Sequence, residues 1–210
     1  AADRLAGGSL GVRSPRPVST ISQRFRSMMQ QPTVFTIGHS THPIDEFITL
    51  LRNNGVQQLV DVRTVPGSRH NPQFGAQALE QSLNDADLAY ARMEELGGLR
   101  YTPAKVESIN GAWRNTSFRS YADYMQTEPF AHGVDALIAL AKEQTVAIMC
   151  AEAVPWRCHR SLIADALLVR HLAVKDIMSV TSTKPHTLTS FAAVDGQRLW
   201  YPPTNLSEQS

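Results

Sequence analysis

Short apolar runs alternate along this chain with stretches in which apolar positions recur every three or four residues. Thr33-Val34-Phe35-Thr36-Ile37 is a β-rich run stopped by Gly38, His39 and Ser40. A helix is predicted to follow. Pro43 suits a first helical turn, Asp45 and Glu46 favour the positive end of its dipole, and Phe47, Leu50 and Leu51 form an apolar stripe ended by Asn53-Asn54-Gly55. Gln58 to Val62 reads as a second strand, so strand, helix and strand with short links make a right-handed parallel βαβ unit. The stretch RTVPGSRHNPQF, from Arg63 to Phe74, carries two prolines and a glycine and is predicted to be a loop. A helix over about 75–84 and a strand over 88–93 lead to Leu96-Gly97-Gly98-Leu99-Arg100. Tyr101 to Asn115 shows no period and is either a cover for a site or a surface excursion.

Helical spacing resumes over 118–125 and again over 128–142, where Val134, Leu137, Ile138 and Ala141 share a side. Val146 to Met149 is unbroken apolar sequence, predicted to be a buried strand ending at Cys150. From Ser161 the spacing is helical once more, with Leu162, Ile163, Ala166 and Leu167 on one side. Val174 to Val180 reads as a last parallel strand, and the tail leaves room for an edge hairpin around Phe191 to Trp200. The expected class is α/β: one domain over 32–182, an open, mainly parallel sheet flanked by helices in a rhodanese-like or Rossmann-like architecture, with 183–210 as a C-terminal tail.

Residues 1–31 depart from this pattern. They are rich in Arg, Ser, Gly and Pro and hold a single acidic residue, Asp3, which predicts a disordered leader. Such a segment is either a transit peptide or an upstream extension ahead of Met28-Met29. Elsewhere composition is that of a globular protein: 42% hydrophobic and 19% charged residues among 210 suffice for one sizeable core. No apolar run approaches the roughly 20 residues that span a bilayer, so no membrane association is expected. A formal net charge of +1 gives no global attraction to nucleic acid, so any anion must be held by local clustering. The two cysteines, with seven residues between them, are too few for a secreted disulfide scaffold, and a reducing cytoplasm is the expected compartment.

Ligands of open parallel sheets bind beyond the carboxyl ends of the strands. That rule gathers His39 and Ser40 after the first strand, Arg63, Ser68 and Arg69 after the second with Asp61 at its end, and Glu152, Arg157, Cys158, His159 and Arg160 after the Cys150 strand. Arginine forks suit phosphate or carboxylate, and a helix beginning near Trp156 or Arg157 adds free backbone N–H groups. The expected partner is an anionic small molecule or a nucleic-acid component. The alternative is that Arg63 and Arg69 pair with Asp61, Glu94 or Glu95 and only brace the loop. Cys150, Glu152, Cys158 and His159 are the catalytic candidates. A thiol near arginines, a histidine and a helix start favours its thiolate, and His159 can move a proton with Glu152 or Asp61 orienting it. Against this, Cys150 suits a plain core thiol, and His159 suits a fixed loop histidine. Cys150, Cys158, His159 and His39 also have the atom types of a zinc or iron site, but at no standard ligand spacing, so no metal and no cofactor is assigned. The alternatives to an enzyme are a non-catalytic anion- or nucleic-acid-binding module and a Cys/His metal-binding protein.

The run Leu59-Val60-Asp61-Val62-Arg63, followed later by a strand-end cysteine, resembles the rhodaneses and the cysteine-dependent phosphatases. A rhodanese loop places arginine after four intervening residues and a phosphatase loop after five; here six separate Cys150 from Arg157, with Pro155 and Trp156 at the expected positions. A closer likeness is carried by Ile37-Gly38-His39-Ser40, Leu59 to Arg63 with Pro66, Ser68-Arg69, Leu96-Gly97-Gly98, Tyr121-Ala122 with Met125, and Met149-Cys150-Ala151-Glu152 through Cys158-His159-Arg160. In these motifs, from about Val34 to Val180, the chain resembles the domain-of-unknown-function 488 family. The resemblance implies a soluble, mainly bacterial α/β domain and no named activity.

Overall fold

The computed structural model describes residues 31–67, 69–103 and 107–203. The expected leader, apart from Gln31, and Ser68 lie outside the described residues. In chain order the elements are β1 (Thr33–Gly38), α1 (Ile44–Asn53), β2 (Gln58–Asp61), α2 (Ala76–Asn84), β3 (Ala89–Arg92), α3 (Thr116–Tyr124), α4 (Glu128–Glu143), β4 (Val146–Cys150), α5 (Arg160–Val169), β5 (Ala173–Ser179), β6 (Ser182–Pro185), β7 (Ala193–Asp195) and β8 (Arg198–Trp200). Single 3₁₀ turns occupy Pro72–Phe74, Glu94–Leu96 and Pro155–Arg157.

The main sheet runs β3-β2-β4-β1-β5-β6, parallel except for β6, which is antiparallel to β5. This is the expected α/β class. β1 and β2, joined through α1, do not pair: β4 lies between them, with Gly38 opposite Cys150 and Asp61 opposite Met149. The loops after β1, β2 and β4 therefore leave from three neighbouring strands at one edge.

Side chains alternate across a strand, so Val146, Ile148 and Cys150 of β4 face one way and Ala147 and Met149 the other. The first face packs on Tyr121 of α3, Leu137 of α4 and Leu162 of α5; the second packs on Phe47 and Leu51 of α1 and Leu79 of α2. A strand covered on both faces must be apolar throughout, which explains the unbroken run before Cys150. The alternation also aims the Cys150 thiol at the α5 side.

α5 differs from its sequence pattern. The spacing predicts one apolar side, yet every residue from Arg160 to Leu167 is buried. Leu199 of β8 and Tyr201 join the core that α5 belongs to and cover what the spacing leaves open. The hairpin expected around Phe191 to Trp200 forms as β7 and β8, turning at Gly196 with φ +58°, but it is a separate two-stranded sheet. The edge of the main sheet belongs to β6 instead. Asn110, fully buried in the irregular segment, donates to Asp123 and accepts from the Tyr201 amide. Among the described residues no helix is long and apolar enough to cross a membrane.

Candidate functional site

The sheet ladder continues beyond its strands. The His39 amide donates to the Cys150 carbonyl at 3.0 Å, the Ser40 amide to Ala151 at 3.0 Å, and the Val62 amide to Met149 at 3.1 Å. These bonds hold the three loops side by side. Gly38 makes the approach feasible: a Cβ there would lie 1.9 Å from the Glu152 carbonyl oxygen. Between the loops opens a cleft of about 660 Å³. His39, Ser40, Arg63, Cys150, Glu152, Arg157, Cys158 and His159 all border it.

One wall is a buried polar chain. Arg63 grips Asp61 twice, Nε to Oδ1 at 2.9 Å and NH2 to Oδ2 at 2.6 Å, and Tyr90 donates its hydroxyl to the same Oδ2 at 2.9 Å. His39 stacks on Phe74 with ring centroids 4.3 Å apart. Its Nδ1 lies 2.9 Å from the Ser40 carbonyl, which can only accept, so Nδ1 carries the proton and Nε2 accepts from Arg63 NH1 at 3.3 Å. Burial, with the Arg63 charge acting in the same direction, keeps the His39 pKa below its ordinary value. His39 is thus a neutral ring that steadies Arg63.

The floor holds a histidine and both sulfurs. His159 Nε2 sits 3.0 Å from the Val62 carbonyl and must donate to it, which turns Nδ1 toward two sulfurs: Cys158 Sγ at 3.6 Å and Cys150 Sγ at 3.8 Å. The ring lies between Tyr121, 5.0 Å away between centroids, and Gly98, whose absent side chain leaves the space it fills. Both cysteines are free and buried. Burial opposes a charge on Cys158, but the Cys150 S–H and the adjacent His159 outweigh it and hold the Cys158 thiol well below its usual range. The bond to Cys158 and burial push the Cys150 thiol up. The two shifts run in opposite directions, with Cys158 the sulfur on which a thiolate is favoured. The sulfurs and His159 nitrogen lie within 4.8 Å of one another, donor types that also suit zinc or iron; His39 stands outside that group.

The cationic crevice expected from sequence is thinner in the structure. Of its four arginines, Arg63 and Arg157 border the cleft, and Arg63 is already paired with Asp61. Arg160 is 1% exposed and points behind the wall, donating to the Glu152 carbonyl at 2.7 Å and to Thr36 at 3.3 Å. Arg69 is exposed and does not border the cleft. The helix expected from near Trp156 starts later: a 3₁₀ turn at Pro155–Arg157 engages the Arg157 and Cys158 amides, and α5 begins only at Arg160. Neither Glu152 nor Asp61 orients His159; the Val62 carbonyl does. None of the described residues between Tyr101 and Asn115 borders the cleft.

Sequence reasoning missed Thr64, Val65, Leu99 and Phe118, which also line the cleft. It also missed a buried network behind the site. His186 bridges Asp165 at 2.9 Å and Asp176 at 3.4 Å, Tyr201 donates to Asp165 at 2.9 Å, and Thr36 donates to Asp176 at 2.6 Å. One signal was present: Asp165 interrupts the apolar sequence of α5.

Comparison with known families gives one match. The family described as domain of unknown function DUF488 matches residues 43–167, more than half of the chain. No curated protein matches, and no solved structure matches.

Proposed function

We propose that this chain, which belongs to the DUF488 family, is an enzyme of cysteine chemistry acting on an anionic small molecule in the cleft beyond β1, β2 and β4. The observation that carries this reading is His159 Nδ1 facing the Cys158 and Cys150 sulfurs at 3.6 and 3.8 Å, while its other nitrogen is committed to the Val62 carbonyl. A fixed imidazole beside a thiol is the arrangement that prepares a sulfur nucleophile. Cys158 is the nucleophile, Cys150 donates to its thiolate, and His159 Nδ1 exchanges the proton. Arg157, exposed at the mouth, meets the substrate's charge, and Arg63 with its Asp61 partner gives the wall rigidity more than charge.

Iodoacetamide labelling of the native protein across pH tests the reading. Cys158 is expected to alkylate at pH values where an ordinary thiol is protonated and Cys150 to lag behind. Phosphate, sulfate or a nucleotide bound in the cleft should slow the labelling, and Arg157→Ala should weaken that protection. Two inert thiols refute the proposal. So does stoichiometric zinc or iron in protein purified without a polyhistidine tag, because the sulfurs would then be ligands.

A further inference from the structure

Only two cysteines occur in the chain, and the fold brings both to the same cleft floor. A plain core position needs neither thiol, and a single nucleophile needs one. Here the second thiol lies with its sulfur inside the same 4.8 Å group as the first, and both face one histidine nitrogen. Such a partner can displace whatever becomes bonded to the first sulfur. The turn at Pro155–Arg157 folds the chain back between Cys150 and Cys158, so a bond between them closes a short loop already formed.

We infer that the cleft catalyses dithiol–disulfide exchange with a small anionic disulfide, Cys158 attacking and Cys150 resolving. The inference rests on the thiolate reading above and deepens it by naming the substrate class. In the first step Cys158 Sγ, as thiolate, bonds to one sulfur of the substrate, whose S–S bond breaks and releases one thiolate. Cys150 then gives its proton to His159 Nδ1, and its sulfur attacks Cys158 Sγ. The mixed disulfide breaks, and the second substrate half leaves with the proton from His159. Two electrons and one proton pass from the protein to the substrate: one disulfide becomes a thiolate and a thiol, and the protein keeps a Cys150–Cys158 bond.

The cleft's other features fit a disulfide with carboxylate-bearing, partly aliphatic arms. Arg157 borders the same cleft as the sulfurs and can meet the carboxylate. Val65 and Leu99, 68% and 77% exposed, offer an apolar wall with Phe118 that has no other occupant among the described residues.

The test uses the full reduced chain with glutathione disulfide, followed by mass spectrometry and a count of released thiol. Wild type should lose two hydrogens, release two glutathiones and become resistant to alkylation. Cys150→Ser should stop at a stable adduct of one glutathionyl group on Cys158, and Cys158→Ser should lose exchange. Arg157→Ala should slow glutathione disulfide about tenfold more than it slows the neutral hydroxyethyl disulfide, the effect of one charge-assisted contact. A stable adduct on wild type, unchanged exchange in Cys158→Ser, or oxidation by hydrogen peroxide without exchange with glutathione disulfide overturns the inference. Iodoacetamide separates the two failures. If Cys158 alkylates readily while no disulfide forms, exchange is wrong and the thiolate reading stands; if neither occurs, both are wrong.

Discussion

Adding one methyl group at Gly98 isolates the contribution of His159 without touching a sulfur or the imidazole itself. A Cβ on Gly98 would stand 2.3 Å from His159 Nδ1, 2.5 Å from Cε1 and 2.7 Å from Cγ. Ordinary contact starts at 3.4 Å, so the ring must withdraw by about 1 Å (3.4 − 2.3). It has little room, because Tyr121 packs on it and Nε2 is tied to the Val62 carbonyl at 3.0 Å. Withdrawal breaks that bond or carries Nδ1 away from sulfurs already 3.6 and 3.8 Å distant. A hydrogen bond to a charged group contributes about 1.5–3 kcal/mol. At about 1.4 kcal/mol per factor of ten, iodoacetamide should therefore label Cys158 of Gly98→Ala about ten- to a hundredfold more slowly at neutral pH. Overpacking of this kind costs about 1–3 kcal/mol of stability, so the variant should remain folded, which circular dichroism can check. Gly67→Ala is the control: Gly67 borders the same cleft, but a Cβ there meets nothing within 4 Å, and labelling should match wild type. A folded Gly98→Ala protein that labels at the wild-type rate refutes the assignment of His159 as the group that prepares the thiol.

Three further outcomes follow from the packing. Asp61→Ala strands the buried Arg63 guanidinium and the Tyr90 hydroxyl; urea denaturation should show a loss of about 3 kcal/mol or more. Although burial opposes its charge, His186 is raised to about 9 by hydrogen bonds to Asp165 and Asp176. A raised folded-state value means its stabilisation is complete below about 6.5 and is lost as pH rises through about 9, so the melting temperature should fall over that window, and His186→Gln should flatten that fall. Gly38→Ala sets a Cβ against the Glu152 carbonyl backbone, where no side chain can rotate aside, so β1 and the cysteine loop must part; a loss of about 3 kcal/mol and faster amide exchange at His39 and Ser40 are expected. Unchanged stability in Asp61→Ala, or unchanged exchange in Gly38→Ala, would contradict the geometry from which each is drawn.

Much of this was legible from local pattern. Apolar runs marked β1, β2 and β4, recurrence at three and four marked α1 and α4, and glycine and proline marked the loops, because those signals depend on neighbours within one turn or one strand. The rule that ligands lie beyond strand ends then gathered His39, Arg63 and the Cys150–Arg160 stretch from sequence alone. Even the Arg63–Asp61 pair is suggested by spacing, since residues two apart in a chain that runs on extended from a strand share a face. Tertiary packing decided the rest. Inserting β4 between β1 and β2 is a pairing of residues about a hundred positions apart, and no local period encodes it. Arg160 could face the cleft or the core; in the fold it is buried against β1, and its guanidinium donates to the Glu152 carbonyl and to Thr36. The union of Asp165, Asp176 and His186 likewise needs α5, β5 and the chain after β6 assembled together. Sequence alone established that two thiols and a histidine lie close together between a strand end and a helix start. Only the fold determined that Val62 holds the ring, Gly98 makes room for it, and its free nitrogen faces both sulfurs.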